Sequence, residues 1–269
     1  MTALNNAKRN AYLAEFLATG GMLAFGLFAV AVFWSAYSPL ATLAVSEATR
    51  RLMTGFFFAG GATALIYSPL GQVSGGHINP SVTLAFYSLS KISGRDTVAY
   101  IFAQFSGAVC GIAMLHFVLV YGLGWMDAVA VGATMPGEGF SLWFVFAAEF
   151  ALTMVLMLAI LVVSNRVRIH RFTPLIAGSI VMTAVWLEAH VSGTSLNEAR
   201  SLAPALFGGV WEHHWIYVVA PVLGAQLAAL LYKLVPRYNQ VFCCKLYHPQ
   251  DKPCHFEHCN FPGTPHAPP

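Results

Sequence analysis

Apolar residues in this chain run in long blocks, with neither the alternation of strands nor the one-sided stripe of surface helices. Six blocks, at about residues 11–34, 51–71, 97–121, 140–164, 173–191 and 215–236, each approach or exceed the roughly 20 residues a helix needs to cross a bilayer. Helices apolar on every side are surrounded by lipid or by one another. The pattern therefore predicts an all-α membrane protein with one bundle of six spanning helices. Two further apolar segments, about 79–89 and 197–207, are too short to cross. Each opens with Asn, a favoured helix N-cap, and they follow the second and the fifth block. Short interrupted segments at matching places in two halves predict an inverted repeat, with the site at mid-membrane between two half-helices.

Other features repeat between the two halves. The first block carries Glu15 and Thr19 and the fourth Glu149 and Thr153, a four-residue spacing that sets each pair on one helix face. Ser106-Gly107-Ala108 in the third block matches Leu223-Gly224-Ala225 in the sixth, and small residues let helices approach closely in lipid. The first block is too long for a signal peptide and has no A-x-A cleavage pattern, so it is expected to be retained.

Composition sharpens the picture. Hydrophobic residues make up 57% of the 269 and charged residues 9%, against about a quarter charged in soluble domains. The charges that remain are sorted. Lys8, Arg9, Lys91, Arg95, Arg166, Arg168, Arg171, Lys233 and Arg237 fall on one side of the predicted bundle, and Arg50, Arg51 and Arg200 on the other. The positive-inside bias then predicts a multi-pass cell-membrane protein with both termini cytoplasmic. The net charge of +3 is a topology signal and gives no reason to expect a nucleic-acid partner. No nucleophile–base pair, phosphate loop or membrane-embedded metal motif stands out, so an enzyme is not expected.

The two short segments carry the chemistry. Residues 74–81 read Ser-Gly-Gly-His-Ile-Asn-Pro-Ser, and 193–204 read Gly-Thr-Ser-Leu-Asn-Glu-Ala-Arg-Ser-Leu-Ala-Pro. Half-helices meeting N-terminus to N-terminus would aim two positive dipole ends at the midplane, which repels cations. Asn79 and Asn197 would cap them, with side-chain amide hydrogens available to a passing solute. Taken alone, either Asn is more simply a cap in a buried helix. The pair, so spaced, resembles the two signature loops of the aquaporin superfamily, over about residues 10–236.

That resemblance implies six tilted helices and two re-entrant half-helices, usually as a homotetramer with one pore per subunit. The signature triplets become Asn79-Pro80-Ser81 and Asn197-Glu198-Ala199, departing from the family pattern at Ser81 and Glu198. Glu15 and Glu149 match the glutamates that anchor the re-entrant loops. Counting from the two Asn residues carries the outer constriction over to Ala59, Val185, Thr194 and Arg200. Water-selective members have a large aromatic and a His where Ala59 and Val185 stand, so the constriction resembles the wide filters of aquaglyceroporins and plant nodulin-26-like channels. A slip of one residue would bring Phe58 or Trp186 in instead.

The function these features imply is passive passage of small uncharged solutes such as glycerol, metalloid acids or ammonia, with water, across the lipid bilayer. A water-selective channel and a metal-responsive membrane protein remain open beside it. Glu198 has two readings. In one its carboxylate bonds to backbone amides, away from the pore axis; in the other it faces the pore and makes flux depend on pH. Glu188, His190, Glu212, His213 and His214 read as surface or loop-anchoring residues, with a proton-attracting vestibule as the alternative.

From about residue 238 the chain turns rich in Cys, His and Pro, as expected of an irregular cytoplasmic tail over 238–269. Cys243, Cys244, Cys254 and Cys259 with His248, His255, His258 and His266 suit zinc or copper(I). Cys254-His255-x-x-His258-Cys259, with Cys243 and Cys244, is the candidate set for zinc, copper or a metalloid; the rest of the channel needs no cofactor. An unstructured tail, or lipidation of Cys243 and Cys244 beside the membrane, is the alternative. Cys110 reads as a packed small residue.

Overall fold

The computed structural model describes residues 2–42, 45–123, 127–236, 240–249, 254–256 and 258–263; Arg237 and His266 lie outside them. Six long helices form the bundle: α1 (Thr2–Trp34), α2 (Glu47–Tyr67), α5 (Gly94–Leu123), α6 (Leu142–Ser164), α7 (Thr173–Ser192) and α9 (Ile216–Leu234). Between them lie a short α3 (Pro69–Ser74) and the two half-helices α4 (Pro80–Ser88) and α8 (Glu198–Gly208). Among the described residues, five of the long helices have the length and apolar composition to cross a membrane. The sixth, α2, opens with Glu47, Arg50 and Arg51 and packs between α1 and α7.

The halves repeat. Helix α1 pairs with α5 as α6 pairs with α9, and the matching glycines make both contacts. A Cβ on Gly107 would stand 2.1 Å from the Phe16 carbonyl oxygen, and one on Gly224 2.3 Å from that of Phe150. Phe16 follows Glu15 and Phe150 follows Glu149, so each crossing sits beside a buried glutamate. Helices α2 and α7 also touch backbone to side chain, since a Cβ on Gly55 would meet the Met182 carbonyl at 2.9 Å and Val185 at 3.0 Å.

The start of α1 and the course of the tail are not given by the hydropathy pattern. Helix α1 starts nine residues before residue 11, because Lys8 pairs with Asp96 at 3.1 Å and the Tyr12 hydroxyl donates to the same carboxylate at 2.5 Å, which ties its polar first turns to α5. The tail contains no helix or strand among its described residues, yet it is not a free strand of chain. After α9 it folds back onto the side of the bundle where α1 begins, called the inner side below. Phe242 N–H donates to Asn165 Oδ1 at 2.6 Å, Lys91 Nζ to the His258 carbonyl at 3.1 Å, and Phe256 lies against Tyr100.

Candidate functional site

Each half-helix is entered through a loop of the same backbone shape. Gly75, Gly76 and Ile78 have positive φ, and so do Gly193, Thr194 and Leu196 at the corresponding places. Ile78, Thr194 and Leu196 are not glycines, and holding them there costs on the order of 1–3 kcal/mol each. The surroundings hold them in place. Glu15 is fully buried and accepts from His77 N–H at 2.9 Å, Ile78 N–H at 2.7 Å and Gln104 Nε2 at 2.8 Å. Glu149, equally buried, accepts from Ser195 N–H at 2.7 Å, Leu196 N–H at 2.9 Å and the Ser192 hydroxyl at 2.6 Å. Among the Thr partners, the Thr153 hydroxyl donates to the Glu149 carbonyl at 2.8 Å.

The half-helices meet at their N-termini through the two asparagines. Asn79 Oδ1 accepts from Ser81 N–H at 2.8 Å, and Asn197 Oδ1 from Ala199 N–H at 3.0 Å and Arg200 N–H at 3.3 Å. Their amides are exchanged: Asn79 Nδ2 donates to the Leu196 carbonyl at 2.7 Å and Asn197 Nδ2 to that of Ile78 at 2.8 Å. Each cap therefore also straps its half to the other. A side-chain amide has two donors, and both Asn residues line the central cavity.

The two departures from the family triplets face each other across the midplane. Glu198 is buried and accepts from Ser81 N–H at 3.0 Å and, in a short hydrogen bond, from the Ser81 hydroxyl. The carboxylate shares with Asn79 Oδ1 the Ser81 N–H at the start of the opposite half-helix and also accepts from a hydroxyl that Ala could not supply. Neither Glu198 nor Ser81 lines the cavity.

That cavity, about 720 Å³, runs from Trp34, Glu47 and Arg51 at the outer end, past Asn79 and Asn197, to Ile66, Pro174 and Leu246 at the inner end. Ala59, Val185, Thr194 and Arg200 all line it. Arg200 donates from Nη1 to the Gly132 carbonyl at 2.9 Å, and its guanidinium lies 5.0 Å from the centre of the Phe58 ring. Phe58 thus shares the wall with Ala59, turned toward Gly26 of α1, while Trp186 is an exposed side chain on α7. The Thr194 hydroxyl donates to Glu188 at 2.7 Å, so Glu188 anchors the loop. Arg51 also lines the outer end, so Arg200 does not stand alone as the cation there. His190 lines the cavity too, whereas exposed Glu212 pairs with the half-buried His213 at 3.3 Å.

In the tail, the residues that converge are not the set expected from spacing. Cys243, His248, Cys254 and Cys259 are buried with their ligand atoms within 4.8 Å of one another. Cys244, His255 and His258 stand outside this group. The Cys244 carbonyl accepts from His77 Nε2 at 2.9 Å, the His255 ring lies tilted against Phe256 with centres 4.2 Å apart, and His258 is exposed. Neighbours in sequence have turned to different surroundings, and His248 completes the group instead. Hydrogen bonds from Cys243 and Cys254 hold the Cys259 thiol well below the ordinary value, and burial raises that of Cys243.

The Major intrinsic protein family model matches residues 3–232. Aquaporin AqpM of Methanothermobacter marburgensis is 38% identical over 186 residues, covering 66% of this chain and 74% of that protein. Nodulin-26 of Glycine max is 34% identical over 216 residues, covering 78% and 76%. An aquaglyceroporin structure from Plasmodium falciparum has the same fold, with a TM-score of 0.70 at 22% identity over 85% of this chain and 96% of its own. With the paired half-helices, the anchoring glutamates and a cavity running past both asparagines, these likenesses make the chain a member of the major intrinsic protein family, a membrane channel for water or small solutes.

Proposed function

We propose that the chain conducts small uncharged solutes, of the glycerol, metalloid-acid or ammonia kind, along with water, down their gradients. The observation that carries this is the composition of the constriction. Ala59 and Val185 stand on the same wall as Arg200 and Thr194 and present a methyl and an isopropyl group, leaving the Phe58 ring, turned toward Gly26 of α1, as the bulky group beside Arg200. Replacing an imidazole by Val also removes a donor, which lowers the desolvation cost for a less polar solute. Deeper in, Ala62, Val181, Leu156 and Ile160 form an apolar wall beside the polar Asn79 and Asn197. A molecule with hydroxyls on one side and carbon on the other suits such a surface. Ions are excluded by Arg200 and the half-helix dipoles. The reading includes a homotetramer in the cell membrane with cytoplasmic termini.

The test is stopped-flow permeability of liposomes to water, glycerol, urea and boric acid. Parent protein and the double variant Ala59→Phe/Val185→His are compared, each also carrying Leu246→Ala so that the inner-mouth side chain does not mask the difference. The double change is expected to lower solute flux while water flux survives. Unchanged flux of the larger solutes would place the constriction elsewhere.

A further inference from the structure

We propose that Cys243, His248, Cys254 and Cys259 bind one zinc ion, and that this ion holds Leu246 in the inner mouth of the pore, so that metal occupancy closes the channel. The second half of the proposal rests on the cavity being the solute pathway; the first half does not.

The distances fit the ion. A tetrahedral zinc with bonds of about 2.3 Å to sulfur and about 2.0–2.1 Å to nitrogen places its sulfurs roughly 3.8 Å apart and sulfur and nitrogen roughly 3.6 Å apart. Cys243 Sγ lies 3.7 Å from Cys254 Sγ, and His248 Nε2 3.3 Å from Cys259 Sγ. A sulfur pair at 3.7 Å is far from the roughly 2.05 Å of a disulfide. All four side chains are buried, and three thiols with one imidazole is a closed structural zinc set. His248 is held by stacking on Phe261 at 4.7 Å, with the rings 8° from parallel, which orients the imidazole.

The tail has something for such an ion to hold. With no helix or strand among its described residues, it lacks the regular hydrogen bonding that stabilises a short segment, and metal binding supplies folding free energy to chains of this kind. Two of the four ligands, Cys243 and His248, bracket the segment that reaches the pore. Between them Lys245 Nζ donates to the Gln72 carbonyl at 2.6 Å and Leu246 N–H to the Gly75 carbonyl at 2.9 Å. Just before and after, the Cys244 carbonyl is held by His77 and Tyr247 packs on Tyr67 with ring centres 5.2 Å apart. Leu246, 2% exposed, lines the cavity beside Ile66 and Pro174. It is the tip of a loop fastened at both ends to the ion, and its own amide occupies a carbonyl on the loop that leads to Asn79. Losing the ion releases Cys243 and His248 and leaves the loop to its hydrogen bonds and the Tyr67–Tyr247 contact alone. On binding, the protons carried by the thiols pass to the buffer as zinc–sulfur bonds form.

The experiment uses full-length protein purified under reducing conditions. Elemental analysis is expected to find one zinc per chain in the parent and in Leu246→Ala, and almost none in Cys243→Ser/Cys254→Ser. In liposomes, a membrane-permeant chelator should raise parent water and glycerol flux by about tenfold, and added zinc should lower it again. Leu246→Ala should conduct at the raised level with or without chelator. Reduced parent that carries no zinc, or carries another metal or a Cys243–Cys254 disulfide in its place, overturns the site. Stoichiometric zinc whose removal leaves parent flux unchanged, while Leu246→Ala conducts, overturns the gate. If no protein passes any solute or water under any condition, the channel reading fails instead, and zinc content still judges the site.

Discussion

The midplane contact between Ser81 and Glu198 makes a quantitative prediction, because the two residues replace Ala and Pro of the family pattern together. Removing the Ser81 hydroxyl takes one of two hydrogen bonds from a buried carboxylate, and a hydrogen bond to a charged group contributes about 1.5–3 kcal/mol. Glu198→Pro restores a residue suited to the first helical position but strands the Ser81 hydroxyl, at about 1–3 kcal/mol. At about 2–4 °C per kcal/mol for a chain of this size, each single variant should unfold several degrees lower in detergent. Ser81→Ala/Glu198→Pro loses donor and acceptor together, so it should be more stable than the sum of the singles predicts, with a coupling of about 1–3 kcal/mol. Thermal unfolding of the four proteins, followed by tryptophan fluorescence, measures it. Strict additivity would refute the pairing. Since Glu198 is off the cavity wall, flux through the Leu246→Ala protein should also show the same profile from pH 5 to 8 with and without Glu198→Gln; a pH dependence lost in Glu198→Gln would put the carboxylate in the pore.

In the Leu246→Ala protein, Arg200→Val should admit a cation leak that Leu246→Ala alone does not show, measured with a sodium- or proton-sensitive dye in vesicles. A fixed charge about 4 Å from a passing cation opposes it by roughly 4 kcal/mol at an effective dielectric of about 20, and absence of leak would assign exclusion to the half-helix dipoles and Arg51. Gly224→Val places carbon where the Phe150 carbonyl stands, an overpacking cost of about 1–3 kcal/mol or more; expression and monodispersity on size exclusion should fall, and a variant as well behaved as the parent would contradict the α6–α9 contact.

What the sequence determined by itself is what depends on local pattern. Hydropathy located the spanning helices, because lipid demands about 20 apolar residues whatever packs beside them. Asn caps located α4 and α8, because capping involves only the next two or three residues. Glu15 with Thr19, Glu149 with Thr153, and Gly107 and Gly224 stood out because the repeat states each of them twice, while the anchoring part of the two glutamates was implied by the family resemblance. Tertiary structure alone decided what joins segments without a shared period. Ser81 and Glu198 lie in opposite halves, and only the inverted meeting of two helix ends sets a hydroxyl against a carboxylate. Phe58 reached Arg200 through the turn of α2 against α1, which counting residues cannot give. In the tail, spacing favoured Cys254, His255, His258 and Cys259, but an irregular chain has no periodicity to say which way a side chain turns. Its fold against Gly75, His77 and Tyr67 chose His248 and carried Leu246 to the inner mouth.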